Sequence, residues 1–299
     1  MIDIAIQRPP VSYRGRFAPS PSGLLHFGSL ITALASYLDA KSQSGEWLVR
    51  IEDIDPPREM EGASQLILDT LFDFGLHWDG DVVYQSQQTK QYQDVLNQLL
   101  ASNSAYTCQC TRAQIKALGG IYQGHCRDLN LPFINSALRV KNLLKINQFN
   151  DLIQGTSSGD KNLAAEDFIV LRRDGLFAYQ LAVVIDDIAQ GITHVIRGCD
   201  LLEPTVRQLT FIQQLGYQVP QYGHVPLAVT DQGYKLSKQN KAPAVDRKNP
   251  QKALFSALQF LGQQPPKSLV LSSLEELLTW AVSHWDINKV PKQQEIMIV

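Results

Sequence analysis

Two short segments carry residue types suited to holding a polyphosphate. The first is Arg16-Phe-Ala-Pro-Ser-Pro-Ser-Gly23-Leu-Leu-His26-Phe-Gly28-Ser29, and the second, roughly two hundred residues downstream, is Lys235-Leu-Ser-Lys238-Gln239. Forming an adenylate requires a bent triphosphate, attack of a carboxylate on the α-phosphorus, and stabilisation of charge growing on the pyrophosphate. Positioned donors and cations meet that transition state, with little covalent chemistry from the protein. Gly28 lets the backbone approach a nucleotide, and His26 can donate to a phosphate oxygen. A helix starting at Ser29 turns its positive end toward the same place. Lys235 and Lys238 put two ammonium groups on a loop that follows Thr230-Asp-Gln-Gly. Each segment alone is common in proteins. Together, in this order, they read as two halves of an ATP site.

The elements around them must supply that geometry. Arg14 to Ala18 reads as a strand entering a Pro/Gly turn over residues 19 to 28. Ser29 to Lys41 places Ile31, Leu34, Ala35 and Leu38 on one helical face. Trp47 to Glu52 follows as a strand, Glu59 to Phe74 as a helix closed by Gly75, and Thr89 to Leu100 as a third helix. Alternating strands and helices argue for a parallel sheet with crossover helices. Residues 104 to 180 change character and read as an insertion. Leu181 to Asp187 and His194 to Arg197 are expected to resume the strands, with a helix over Pro204 to Leu215 and a strand over Gly223 to Val229. Helices are expected over Gln251 to Leu261 and Leu274 to Trp285, after which the tail should fray. The expected division is therefore 1–103 and 181–245 as two halves of one catalytic domain, 104–180 as the insertion, and 246–299 as a short helical region.

Composition narrows the class without choosing a partner. The 299 residues are 44% hydrophobic and 19% charged, which suits a globular protein with a sizeable core. The start lacks a basic segment followed by an apolar one, and no apolar run reaches the roughly 18 residues of a membrane span. A cytoplasmic location with no membrane contact is expected. A net charge of −2 gives no global attraction to nucleic acid. RNA contact would rest on local patches. One candidate holds Arg112, Lys116, Arg127, Arg139 and Lys141; another runs from Lys235 to Lys252 and includes Lys241, Arg247 and Lys248.

The Pro-Ser-Pro-Ser-Gly-Leu-Leu-His-Phe-Gly block resembles the HIGH motif of class I aminoacyl-tRNA synthetases, and Lys-Leu-Ser-Lys-Gln resembles their KMSKS loop. Arg16-Phe-Ala-Pro-Ser-Pro is similar to the glutamyl branch. Further matches are Val49-Arg-Ile-Glu52-Asp-Ile-Asp-Pro, Tyr179-Gln-Leu-Ala-Val-Val-Ile-Asp186-Asp187, and Gly191-Ile-Thr-His-Val-Ile-Arg197-Gly-Cys-Asp200. The resemblance spans about residues 14 to 245. It departs at Phe27, Ser29 and Gln239, and Ser29 stands where the family has a second imidazole. The implied fold is the Rossmann-like parallel sheet of class I synthetases, an α/β architecture with a zinc-bearing α/β insertion. The implied chemistry is ATP-dependent activation of L-glutamate, with Mg²⁺ accompanying ATP. In that reading His26, Gly28, Lys235 and Lys238 are catalytic, and His26, Gly28, Ser29 and Lys238 bind ATP. Arg16 and Arg197 offer guanidinium donors to carboxylates. Glu52 suits an α-ammonium and Tyr179 adds a hydroxyl; Ala18 and Ser20 line the same strand end.

Cys108, Cys110 and Cys126 lie in one short segment with Tyr122 and His125. Three thiols in a cytosolic chain favour a metal over a disulfide, and zinc wants four tetrahedral ligands. Chemistry alone favours His125 as the fourth, although it adjoins Cys126. The spacing C-x-C-x11-Y-x3-C resembles a zinc motif in shortened members of the glutamyl family, where tyrosine is the fourth ligand, so Tyr122 is expected and His125 is the alternative. The zinc would be structural. Cys199 reads as a small core residue.

About sixty residues follow Gln239, fewer than the anticodon-binding region of full-length glutamyl enzymes. The resemblance is therefore to the shortened paralogues. These activate glutamate without tRNA and esterify it to the cyclopentenediol of queuosine in the anticodon stem-loop of tRNA(Asp). Expected partners are ATP, L-glutamate and that tRNA, with the protein a monomer. A minimal synthetase charging a tRNA 3′ end is the runner-up. A non-catalytic regulator and a nucleotidylyltransferase are further readings; the Arg16/Arg197 pair argues against the last.

Overall fold

The computed structural model describes residues 2–230 and 243–298; Lys235, Lys238 and Gln239 lie outside the described residues. The first stretch holds β1 (Arg14–Phe17), α1 (Phe27–Ser42), β2 (Glu46–Ile51), α2 (Ala63–Asp73), β3 (Val83–Tyr84) and α3 (Thr89–Ala101). Next come β4 (Ala105–Cys108), α4 (Arg112–Ala117), β5 (Ala137–Val140), β6 (Gln148–Asp151), β7 (Gly155–Ser158), α5 (Lys161–Ala165) and β8 (Ile169–Leu171). Then follow α6 (Tyr179–Ala189), β9 (His194–Gly198), α7 (Thr205–Leu215), β10 (Gln221–Val225) and β11 (Leu227–Val229). The last are α8 (Pro250–Phe260), α9 (Leu274–His284) and β12 (Glu295–Met297).

Strands β1, β2 and β3 pair in parallel, as do β9 and β10. The two half-sheets meet where the Thr193 amide donates to the Arg14 carbonyl at 3.0 Å, which sets β1 beside β9. The order β3-β2-β1-β9-β10 reverses direction between β1 and β9. Open α/β sheets place ligands at such a switch point, beyond the carboxyl ends of the strands. Helix α1 covers the sheet there. Its buried face contains Ile31, Leu34, Ala35 and Leu38, the stripe its periodicity predicts, together with Leu30.

Three features differ from the sequence expectations. Residues 181–187 form part of helix α6 and not a strand. Leu181, Ala182, Val183, Val184 and Ile185 are all buried, because α6 packs against α7, α3 and β8. An apolar run covered on every side loses the alternation that separates helix from strand. Within residues 104–180, β4, β5 and β8 form a separate antiparallel sheet, but the β6–β7 hairpin joins β10 of the core sheet. The tail does not simply fray: β12 pairs in parallel with β11, with Leu227 opposite Glu295.

The first basic patch is also dispersed. Arg139 is buried, and Arg127 is held by Asp167 at 2.6 Å. Of the described part of the second patch, Arg247 pairs with Asp73 at 2.6 Å. Among the described residues no helix is long and apolar enough to cross a membrane.

Candidate active site and metal centre

The carboxyl ends of β1 and β9 frame a cavity of about 790 Å³, which also reaches the amino end of α1. Its wall contains Arg16, Ala18, Ser20, His26, Gly28, Ser29, Glu52, Tyr179 and Arg197, every predicted ATP and glutamate residue that is described. A second cavity of about 520 Å³ adjoins it and shares Ser20, Glu52, Arg58 and Tyr179. Both volumes fall within the usual range for small-molecule sites, about 300–1,000 Å³.

The turn after β1 is fixed by backbone bonds. The Ser22 amide donates to the Ser20 carbonyl at 2.9 Å, and the Glu52 amide to the Pro19 carbonyl at 3.0 Å. Glu52 is thereby tied to the turn that carries the HIGH-like residues. His26 caps α1, its Nδ1 accepting from the Ser29 amide at 3.3 Å, while the His26 amide donates to Ser29 Oγ at 2.8 Å. This reciprocal cap gives Ser29 a structural task. It also puts the proton of neutral His26 on Nε2. The described residues on either side of the Lys235 to Lys238 segment border the same cavity. Leu227 and Ala228 line it, Ala244 bridges to His26, and the Val245 amide donates to the Leu25 carbonyl at 3.0 Å.

Arg16 and Glu52 of this wall belong to a buried ionic network. Asp187 accepts from Arg16 Nε at 3.1 Å, Arg16 Nη2 at 3.3 Å and Arg50 Nη2 at 2.8 Å. The fork of Arg16 is thus engaged with Asp187 rather than open. Asp186 accepts from Gln85 and Tyr92, and Glu52 lies 3.9 Å from Arg50. Burial lifts the Glu52 carboxyl to about 7 against the opposing charges of Arg50 and Arg16. Burial also raises Asp187, but Arg16 and Arg50 outweigh it and hold that carboxyl below the usual range. Burial pushes the Tyr179 phenol up, so it stays protonated and able to donate. Across the cavity, Arg197 is 3% exposed and donates through Nε to His224 at 3.0 Å and through Nη2 to Thr205 at 2.7 Å.

Sequence reasoning gave no site role to Arg50, Asp186, Asp187, His224, Arg58 or Asp200, although Arg50, Asp186, Asp187 and Asp200 stand in the motifs that carry the resemblance. A signal existed for the first three: Val49-Arg50-Ile51 and Ile185-Asp186-Asp187-Ile188 set charges inside apolar runs.

The cysteine segment forms a second centre. The sulfur atoms of Cys108, Cys110 and Cys126 all lie within 4.8 Å of one another. Cys108 ends β4, Cys110 directly precedes the Thr111 cap of α4, and Cys126 comes from the segment after α4. Tyr122 is buried, its hydroxyl accepts from the Cys126 amide at 2.8 Å, and the Arg139 guanidinium lies 3.8 Å from its ring centre. Arg139 Nε sits 3.4 Å from Cys108 Sγ. His125 is exposed and outside the group of three. Three converging thiols could hold a metal ion.

The profile described as "tRNA synthetases class I (E and Q), catalytic domain" matches residues 12–295. The chain belongs to this family. It is a class I tRNA synthetase-type ligase. A relative from Colwellia psychrerythraea named Glutamyl-Q tRNA(Asp) synthetase is 58% identical over 314 residues, covering 100% of both chains. One of the same name from Pectobacterium atrosepticum is 56% identical over 284 residues, covering 95% of this chain and 88% of its own. The solved glutamate tRNA ligase of Elizabethkingia meningosepticum, in complex with its amino acid, superposes with a TM-score of 0.79 at 27% identity. That match covers 95% of this chain and 66% of the other. This class I synthetase therefore has its HIGH-like turn, Glu52 and Arg197 on the wall of one cavity.

Proposed function

We propose that the protein activates L-glutamate with ATP, without needing tRNA, and transfers it to the cyclopentenediol of queuosine in the anticodon loop of tRNA(Asp). The convergence of nine predicted residues on one switch-point cavity supports the first half. Near-full-length relatives carrying the glutamyl-Q name support the choice of acceptor. Glu52 receives the α-ammonium, Tyr179 donates its hydroxyl, Arg197 faces a carboxylate, and Arg16, held by Asp187 through Nε and Nη2, adds its charge beside it. One carboxylate oxygen attacks the α-phosphorus, the bond to pyrophosphate breaks, and a mixed anhydride results. His26 and the amino end of α1 meet the phosphates, and Lys235 and Lys238 neutralise the departing pyrophosphate. Mg²⁺ bound with ATP would screen the phosphate charge. A diol hydroxyl then attacks the glutamyl carbonyl and AMP leaves; the adjoining cavity leaves room for that acceptor beside Glu52 and Tyr179.

In this reading residues 1–103 and 181–245 are the catalytic halves, 104–180 the insertion and 246–299 a helical region. Transfer of labelled glutamate to tRNA(Asp) with and without queuosine tests the acceptor. Label is expected only on the queuosine-containing tRNA; equal labelling of both would favour charging of the 3′ end.

Cys108, Cys110 and Cys126 are proposed to hold one zinc with Tyr122 as fourth ligand, favoured over His125 because the phenol is turned inward and the imidazole outward. The zinc would fix the insertion and take no part in the chemistry. Metal analysis is expected to give about one zinc per chain, and Cys108→Ser to lower both zinc content and melting temperature. A metal-free protein with that variant equally stable removes the assignment.

A further inference from the structure

Arg197 is almost fully wired before any ligand arrives. Its Nε donates to His224 Nε2 at 3.0 Å, and Nη2 donates to Thr205 Oγ1 at 2.7 Å and to the Leu201 carbonyl at 3.3 Å. Only Nη1 is left, buried and without a hydrogen-bond partner among the described residues, in a side chain that lines the cavity. A charged donor hidden from water with no acceptor is costly, and a ligand oxygen relieves that cost.

The wiring depends on one tautomer. His224 can accept from Arg197 at Nε2 only if its proton sits on Nδ1. That atom lies 2.6 Å from Asp151 Oδ2. The other oxygen, Oδ1, accepts three amides, from Ile153 at 2.9 Å, Gln154 at 2.8 Å and His224 at 3.1 Å. Asp151 therefore cannot turn, and it presents a pure acceptor to Nδ1. Burial, joined by the Arg197 charge, holds His224 below the ordinary histidine value, which keeps Nε2 an acceptor. The three residues come from β6, β10 and β9, so the hairpin within the expected insertion reaches the amino-acid site through this line.

We infer that Asp151 and His224 are positioning residues, which fix the Arg197 guanidinium so that Nη1 faces a carboxylate of the amino-acid substrate. The inference rests on the glutamate reading above. A histidine's proton is placed by whatever its other nitrogen meets, and an acid that enforces the tautomer acts without touching substrate.

Asp151→Asn tests this with a near-isosteric change. Its Oδ1 stays with the three amides, so its NH₂ meets His224 Nδ1 and drives the proton to Nε2, against the Arg197 Nε–H. Calorimetric titration of the full chain with glutamate is expected to show affinity falling about tenfold or more in Asp151→Asn and in His224→Ala. His224→Gln, whose amide oxygen can accept from Arg197 Nε, should stay within about threefold of the unaltered protein. Affinity for a non-hydrolysable ATP analogue should be unchanged in all three, which reports an intact fold. Unaltered glutamate binding in Asp151→Asn, or a His224→Gln as weak as His224→Ala, overturns the positioning role. An unsubstituted protein that binds ATP but no glutamate overturns the glutamate reading instead.

Discussion

Glu52→Gln is expected to lower kcat/KM for glutamate in pyrophosphate exchange by about 10²–10³-fold, the scale of a lost charge-assisted bond in a buried site. The proposed partner of Glu52 is the substrate α-ammonium, and a glutamine keeps the shape while removing the charge. The pH dependence makes the prediction sharper. With its carboxyl raised to about 7 by burial, Glu52 is protonated in the empty enzyme below that pH. Activity at low glutamate should therefore climb as pH rises through about 7 and then level. Glu52→Gln should lose that acid limb along with most of its activity.

The same group makes an opposite statement about stability. Its folded value lies above its unfolded one, so the native state binds the extra proton between the two. Stability then falls as pH rises through that window and reaches its full deficit above about 7. Glutamate should restore part of it by supplying the missing cation. Binding near neutral pH should accordingly release protons, visible as a buffer-dependent heat in calorimetry. A buffer-independent heat, with the acid limb retained in Glu52→Gln, would show that another group titrates there.

Much of this site was legible because its parts sit in short contiguous stretches. Arg16 to Ser29 is a strand end, a turn and a helix start, and turn residues and caps are local chemistry. The α1 stripe of Ile31, Leu34, Ala35 and Leu38 needed only a 3.6-residue period. Tyr122 and the three cysteines also lie within one short segment. What stayed hidden depends on distant pairing. Asp151 and His224 are 73 residues apart, and Arg50 meets Asp187 across 137. No spacing rule links them, because strand order brings Asp151 to His224 and the packing of helix α6 brings Asp187 to Arg50. Helix α6 was hidden for another reason: complete burial erased its period. Ser29, read as standing where the family has a second imidazole, also closes the helix cap.

Asp187→Ala is expected to cost about 3–5 kcal/mol of folding stability, the range for breaking a buried ion pair from one side. Asp187 is a shared anion for two guanidinium groups, Arg16 at 4% and Arg50 at 0% exposure. Removing it leaves both cations out of water with the remaining charge deficit concentrated on Asp186 and Glu52. Asp186 is a poor substitute, since burial already lifts its carboxyl to about 6. A chain of this size should lose roughly 5–8 °C of melting temperature. The sign with pH is opposite to that of Glu52. The folded value of Asp187 is depressed below its unfolded one, so its contribution is complete above the ordinary carboxylate range and disappears as pH falls through the folded value. The gap between Asp187→Ala and the unaltered protein should thus be widest at neutral pH and narrow in acid. The exposed Lys90–Asp94 pair provides the contrast, and Asp94→Ala should barely move the melting temperature. An Asp187→Ala protein as stable as Asp94→Ala would mean that the two arginines find water or another anion. The network would then be a scaffold for the cavity without being a condition for the fold.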